Sequence, residues 1–263
     1  MNSKSTSLRS VETSSVRNRV SAEEWNMRVD LAALYQLATV YKWTDLIYTH
    51  YSARVPGTDH LLINPYGLMF DEITASTLVK IDKDGNIVDD PTGLGINHAG
   101  FVIHGCIHEA RPEVNCVIHT HTRAGVAVSA QKCGLLPISQ HALRTYGMLT
   151  YHAYEGIALD MDERPRLSAH LGPTSKAMIL RNHGLLTVGD TVCEAFELMY
   201  YLDAACQIQI DALAAGQVDA DIIAEGTARK AFQQFQGPGG SELEKEWPAL
   251  LRMRDRKGIA FRS

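Results

Sequence analysis

The chain has 263 residues, of which 45% are hydrophobic and 21% are charged, and its formal net charge at pH 7 is −5. This composition is typical of a globular protein with a large hydrophobic core. Because no excess of basic residues is present, we expect no binding to nucleic acids or to anionic membranes, and a small-molecule substrate is favoured.

Hydropathy and cysteine usage indicate the cellular compartment. No apolar run reaches the roughly 18–20 residues that cross a bilayer, and the N-terminal segment lacks the apolar stretch of a secretory signal. The five cysteines are odd in number and form no Cys-x-x-Cys pair. We therefore expect a cytoplasmic protein whose cysteines are reduced and mostly buried.

The N-terminal part begins with a segment that has no apolar periodicity. Residues 1–20 are rich in Ser, Thr and Asn, and we expect them to form a flexible arm. Ser21 and Glu24 form a capping-box pattern at the start of a helix that extends to about Tyr41. Short alternating runs between residues 46 and 81, separated by Pro-Gly and Asp-Gly turn signals, predict a meander of antiparallel strands.

The middle of the chain alternates predicted helices and strands. A helix over residues 99–110 ends before Pro112, and a strand that finishes in His119-Thr120-His121 follows it directly. Another apolar helix over 123–132 and a strand around 148–154 come next. A single α/β domain is the simplest interpretation.

A hairpin and a long helix complete the predicted domain. Two buried strands, over 177–181 and 185–188, flank a turn at Asn182-His183-Gly184. A capped apolar helix then runs from about residue 191 to 216. The folded domain is therefore predicted over residues 21–216.

Residues 217–263 are predicted to form a C-terminal extension. It consists of a Gly-Pro-Gly-Gly linker at 237–240 and a short charged helix over 244–256. Trp247 and Leu250 lie on one side of that helix, which makes it a candidate contact with a neighbouring subunit.

Three histidines are candidate ligands of one metal ion. In an extended strand, residues two apart point to the same face, so His119 and His121 can present their imidazoles side by side. A tight turn can bring His183 to the same place. Three imidazoles suit zinc or iron and leave a position open for water or substrate. An isolated His-x-His is more often a pair of ordinary strand histidines, and the third histidine is what favours a metal site.

Several motifs of this chain resemble the class II aldolase/adducin family, over about residues 21–216 and most closely its adducin head-domain branch. They are the stretch from Asn97-His98-Ala99-Gly100-Phe101 to His119-Thr120-His121, Cys133-Gly134-Leu135-Leu136-Pro137-Ile138-Ser139, and Leu180-Arg181-Asn182-His183-Gly184-Leu185. The resemblance implies a three-layer α/β/α fold around a mostly antiparallel sheet. It also implies a homotetramer with active sites at subunit interfaces, and a divalent metal on His119, His121 and His183, with zinc expected ahead of manganese or iron.

The chain departs from the pattern of the sugar-phosphate aldolases at three places. Their Ser-Ser-Glu, in which the glutamate is the catalytic acid/base and the serines bind phosphate, is aligned with His98-Ala99-Gly100. Their Gly-Asn-x-Ser is aligned with Thr49-His50-Tyr51-Ser52, and a Thr-Gly turn with Tyr66-Gly67. We therefore do not expect the usual cleavage of a phosphosugar.

Another residue must then carry the proton that the glutamate moves. His98 is the first candidate catalytic residue, because it lies at the positive end of a predicted helix, where its imidazole would stay neutral. His50, Tyr66, Tyr146 and Tyr154 are further candidates. We expect the histidines without a spacing relation to the three candidate ligands to be surface or loop residues, namely His60, His108, His141, His152 and His170. His104 could approach the metal region or be buried under the strand.

Three functions from different classes are compatible with these features. The leading hypothesis is a metal-dependent carbon–carbon lyase or isomerase that acts on a small hydroxy or keto compound. Iron in the same three-histidine site would instead support an oxygenase. The third hypothesis is a non-catalytic oligomeric scaffold that resembles the adducin head domain.

Overall fold

The computed structural model describes residues 16–156, 161–214, 216, 221–238, 241–256, 258 and 261–263. Residues 1–15 of the predicted arm lie outside the described residues. The rest of the predicted arm is in contact with the domain, because Val16 is buried against Trp25 and Ala75.

In the described part of the chain, an eight-stranded sheet forms the middle layer. Its order is β4-β3-β2-β1-β5-β8-β7-β6, and every neighbouring pair is antiparallel except β6 and β7, which are parallel. This confirms the prediction of a mostly antiparallel sheet. The strands are β1 (His50–Arg54), β2 (Leu61–Ile63), β3 (Val79–Ile81), β4 (Ile87–Asp89), β5 (Cys116–Thr120), β6 (Leu149–His152), β7 (Ala177–Leu180) and β8 (Gly184–Gly189).

Helices cover both faces of the sheet, as the three-layer prediction requires. They are α1 (Ala22–Tyr41), α2 (His98–Ala110), α3 (Arg123–Ser129), α4 (Gln140–Leu143), α5 (Arg164–Leu171), α6 (Val192–Leu213), α7 (Glu225–Gln236) and α8 (Leu243–Arg256). On one face, α1, α3 and α6 enclose the larger hydrophobic core, and on the other face α2 and α5 enclose a second one. None of the helices in the described part of the chain is long and apolar enough to span a membrane.

Alternation along β5 assigns its side chains to the two faces of the sheet. Cys116 and Ile118 belong to the larger core, whereas Val117 belongs to the core beneath α2 and α5. Because side chains alternate along a strand, His119 lies on the same face as Val117. The His119 imidazole therefore lies on the face of the sheet that α2 and α5 cover.

The first helix begins and ends at the residues that the sequence predicts. Ser21 accepts a hydrogen bond on its Oγ from the backbone N–H of Glu24, at 3.1 Å, and the helix ends at Tyr41. Lys42 follows it in the left-handed conformation (φ 61°), and its N–H donates to the carbonyl of Ala38.

The C-terminal region differs from the sequence-based expectation. Helix α7 was not predicted. The apolar side of α8 packs on the same chain, where Trp247 donates from Nε1 to Asp30 Oδ1 at 3.1 Å and Leu250 contacts the larger core. Trp247 and Leu250 are therefore partly covered by α1 and α6 of the same chain, and their expected contact with a neighbouring subunit stays a prediction.

We predict that Lys42→Gly stabilises the protein. The Lys42 side chain is exposed and only its Cβ opposes the left-handed backbone, so glycine should raise the free energy of unfolding by about 0.5–1 kcal/mol. Lys42→Ala is the matched control, since it removes the side chain but keeps the Cβ, and we expect no gain from it. Denaturant unfolding of both variants checks this, and an equal gain from alanine would contradict the explanation.

Candidate metal centre

The structure brings the three predicted ligand histidines together. His119 and His121 come from the end of β5, and His183 from the turn between β7 and β8. His121 Nε2 lies 2.9 Å from His119 Nε2 and 2.9 Å from His183 Nε2. Their ligand atoms all lie within 4.8 Å of one another, and no other group of three or more His, Cys, Asp or Glu in the described residues meets this condition.

The position after His183 has no room for a side chain and is occupied by Gly184. A Cβ at this position would lie 2.2 Å from the carbonyl oxygen of Thr120, which is shorter than any real contact of that kind. Asn182, in the same turn, has a φ of 57°, which asparagine tolerates better than most residues. The turn can therefore approach the end of β5 closely enough to place His183 beside His121.

Hydrogen bonds fix the tautomers of two of the three histidines. His119 Nδ1 lies 3.0 Å from the carbonyl oxygen of Leu185, and His121 Nδ1 lies 2.9 Å from Asp45 Oδ2. Since a carbonyl or carboxylate oxygen accepts, each Nδ1 must carry the proton, and each Nε2 is left with a lone pair. Two such nitrogens at 2.9 Å repel each other unless a cation lies between them. The residues present therefore fit a divalent metal ion.

Burial favours the uncharged form of His119 and His183 by lowering the pKa of each. It lowers the pKa of His183 to about 4, with further lowering by the nearby His121 and His152. Burial also holds the pKa of His119 well below its ordinary value, and the other histidines add to this. Neutral imidazole is the form that binds metals, so these histidines are ready to act as ligands at neutral pH.

His98 lies at the start of α2, but outside the cluster. Its side chain is exposed, and its ring contacts Phe101, with 6.2 Å between the ring centroids. No hydrogen bond or ring contact joins His98 to the three histidines in the part of the chain that the structure describes. Its predicted catalytic role is not tested by this arrangement.

His50, rather than His98, lies directly beside the candidate ligands. It pairs with His119 across β1 and β5, and the two rings are stacked at 6.5 Å. A Cβ on Gly100 would lie 2.5 Å from Cγ of His50, so the histidine ring fills the space next to this glycine. The His50 ring therefore leaves no room for a side chain at Gly100, the position that the resemblance aligns with the catalytic glutamate.

A buried network of histidines extends from His50 under α2. Ser52 Oγ lies 2.7 Å from His104 Nδ1 and 2.9 Å from His108 Nε2, and His108 Nδ1 lies 3.2 Å from the carbonyl oxygen of Val114. That carbonyl fixes the proton on His108 Nδ1, so Ser52 donates to His108 and accepts from His104. His104 Nε2 is then a buried lone pair, and neither it nor the ring nitrogens of His50 has a hydrogen-bond partner among the described residues.

Two buried histidines differ from the prediction that they are surface or loop residues. His108 and His152 are buried, not on the surface, with exposed fractions of 3% and 2%. The spacing of His104 and His108, one helical turn apart, was the available signal for a shared buried face. His152 instead contacts His170 and Glu163, at 2.7 and 3.2 Å.

The tyrosines that were candidate proton carriers differ in position. Tyr154 is half exposed, and its ring lies 6.3 Å from that of His183. Tyr66 is also partly exposed and lies 6.5 Å from the ring of Tyr48. No ring contact or hydrogen bond to the cluster is seen for Tyr146 within the described residues.

The fold and the site define an α/β/α protein with a three-histidine candidate metal centre at the end of its central strand. The chain belongs to the class II aldolase and adducin family, because the profile of the Class II Aldolase and Adducin N-terminal domain matches residues 29–210.

Two solved structures and one curated relative are similar to this chain. An aldolase II superfamily protein from Pseudomonas syringae is 55% identical, with a TM-score of 0.89, over 94% of this chain and 99% of that one. An L-fuculose 1-phosphate aldolase from Glaciozyma antarctica is 29% identical, with a TM-score of 0.81, over 92% and 94%. Alpha-adducin of Rattus norvegicus is 46% identical over 88% of this chain, which spans 33% of the adducin.

We predict that Gly100 and His50 are energetically coupled. Gly100→Ala places a methyl group against the His50 ring and should lower the free energy of unfolding by about 1–3 kcal/mol. In a His50→Asn background the space is open, and the same substitution should be neutral or stabilising, since alanine is the better helix residue.

Denaturant unfolding of the four proteins of this cycle measures the coupling. Gly226→Ala in α7 is the control, because a Cβ there meets nothing within 4 Å and should stabilise the helix in any background. Equal costs of Gly100→Ala in both backgrounds would show that His50 does not require the glycine.

Proposed function

We propose that this protein is a metal-dependent lyase or isomerase that makes or breaks a bond next to the oxygen of a small hydroxy or keto compound. The convergence of Nε2 atoms from His119, His121 and His183 carries the proposal. Membership of the family supports it, as does the similarity to an L-fuculose 1-phosphate aldolase.

A divalent cation bound to the three histidines, with zinc expected ahead of manganese or iron, would supply a Lewis acid that polarises a carbonyl or hydroxyl oxygen. The chain's own residues hold and orient the ligands. His119 is almost fully buried and is fixed by the Leu185 carbonyl, while His121 and His183 remain partly accessible from the solvent side. Substrate would therefore approach on the side of His121 and His183.

We further propose His98 as the residue that moves a proton. It is exposed at the start of α2, two residues before Gly100. Gly100 lies against the ring of His50, which is stacked on that of His119. Because the imidazole is exposed, it can exchange protons with water between turnovers. His50 and Tyr154 are the alternatives that lie closer to the ligands.

The charges around the cluster favour a substrate without a phosphate group. The neighbouring charges that shift the pKa values of His119, His183 and His50 all belong to other histidines, with no lysine or arginine among them. Arg181 is directed elsewhere, since it donates to the carbonyl of Gln131 and lies over the ring of Tyr151. Among the residues that the structure describes, no lysine or arginine takes those positions to pair with a phosphate.

A scaffold function is the second candidate, because the chain is 46% identical to alpha-adducin over 88% of its length. An iron-dependent oxygenase would use the same three ligands. As part of the leading proposal, the protein is a cytoplasmic homo-oligomer, with a tetramer expected. The five free thiols, including the exposed Cys133, suit a reducing compartment.

We predict that untagged protein purified without added metal contains about one zinc, manganese or iron per chain. His121→Ala removes a central ligand and should lose the metal, whereas the control His60→Ala, outside the site, should retain it. Elemental analysis of the three proteins is the measurement. Iron with oxygen uptake would favour the oxygenase, and the absence of metal from the wild-type protein would favour the scaffold.

We predict that His98→Gln lowers kcat by about 10²-fold or more on a substrate found by screening hydroxy and keto compounds. Metal content should stay at the wild-type level, because His98 does not contact the ligands. His60→Gln serves as the control for loss of a partly exposed histidine outside the site. Unchanged turnover in His98→Gln would transfer the proton-carrying role to His50 or Tyr154.

A further inference from the structure

His121 differs from the other candidate ligands in the partner of its Nδ1. His119 Nδ1 is held by a backbone carbonyl, whereas His121 Nδ1 lies 2.9 Å from the carboxylate of Asp45, 76 residues earlier in the chain. Among the described residues, Asp45 is the only acidic side chain within hydrogen-bond distance of the three histidines. The contact is partly exposed, at 24% for the His121 side chain and 45% for that of Asp45.

The loop that carries Asp45 has an unusual backbone. Between α1 and β1, Lys42, Leu46 and Thr49 all have positive φ, at 61°, 50° and 68°. The backbone N–H of Tyr48 donates to the carbonyl of Asp45 at 2.8 Å and closes a tight turn around it. Each left-handed residue that is not glycine costs about 1 kcal/mol, so other contacts must hold the loop in this form.

Trp43 anchors this loop to the segment that follows His121. Its Nε1 donates to Asp203 Oδ2 at 3.1 Å, and Thr122 donates from Oγ1 to Asp203 Oδ1 at 2.6 Å. Trp43 and Asp203 are both buried. One carboxylate of α6 therefore connects the Asp45 loop with the residue next to His121.

We propose that Asp45 is a positioning residue for metal binding at His121. Its carboxylate holds the proton of His121 on Nδ1, which leaves Nε2 as the ligand atom, and it places an acidic side chain behind this imidazole. Carboxylates in this position orient ligand histidines and raise their basicity. The inference rests on the proposed function, because it assigns to Asp45 a role in the metal site proposed there.

Two substitutions at Asp45 separate the hydrogen bond from the charge. Asp45→Ala removes both, and Asp45→Asn keeps an acceptor oxygen but no charge. Asp59→Asn is the matched control, since Asp59 is exposed and lies outside the site. In metal-free protein labelled with ¹⁵N-histidine, long-range ¹H–¹⁵N spectra report the tautomer of His121, and His121→Gln assigns its signals.

We expect the wild-type protein and Asp59→Asn to show the Nδ1–H tautomer of His121, and Asp45→Ala to populate the Nε2–H tautomer. In competition titrations with a chromophoric chelator, Asp45→Ala should bind zinc about 10–100-fold more weakly than wild type, with Asp45→Asn between them. An intermediate zinc affinity in Asp45→Asn would also show that the weaker binding of Asp45→Ala does not come from misfolding.

Two results would overturn the inference, and they are distinguishable. An unchanged His121 tautomer together with unchanged zinc affinity in Asp45→Ala would remove the role of Asp45 and leave the proposed metal site intact. If the wild-type protein itself binds no zinc, manganese or iron, the proposed function fails and the inference fails with it, which the wild-type titration alone reveals.

Discussion

The pairing of β5 with β8 is the constraint on which the candidate site depends. His119 in β5 and His121 directly after it are about sixty residues away in sequence from His183 in the β7–β8 turn, and this pairing brings the three candidate ligands together. The contact also supplies the acceptor for His119, since Leu185 lies opposite Thr120 in the register. Gly184 permits the approach, because any side chain there would meet the Thr120 carbonyl. Backbone hydrogen bonds of the sheet thus determine the distances between ligand atoms.

The features that local sequence encodes were predicted well. Helix α1, the histidine strand and the His183 turn follow from capping residues, alternation and turn chemistry, which depend on neighbours in sequence. The grouping of the histidines followed from strand geometry and from the resemblance to the family. The short elements β4 and α4 were not predicted, and neither was the helix α7. Helix α8 was predicted, but its packing on α1 depends on contacts more than 200 residues apart, including that of Trp247 with Asp30.

Other properties of the site could not be obtained from the sequence for a physical reason. The burial of His50, His104 and His108 results from the packing of α2 on β1, and the sequence of either element alone does not reveal it. Likewise, Asp45 lies in a loop whose three left-handed residues carry no glycine signal. The His50 ring also fills the space beside Gly100 and leaves no room there for a side chain, which the sequence of either element alone does not reveal.

The connection through Asp203 has a consequence for variation within this fold. Burial raises the pKa of this carboxyl group, and hydrogen bonds from Thr122, Gln207 and Trp43 oppose that shift. The group connects the loop of Trp43 and Asp45 with Thr122, the residue after His121, although it belongs to a helix that contributes none of the candidate ligands. Changes on α6 can therefore alter the geometry of the histidines at a distance. Substitutions in this helix would then change the distances between the histidines while every candidate ligand stays the same.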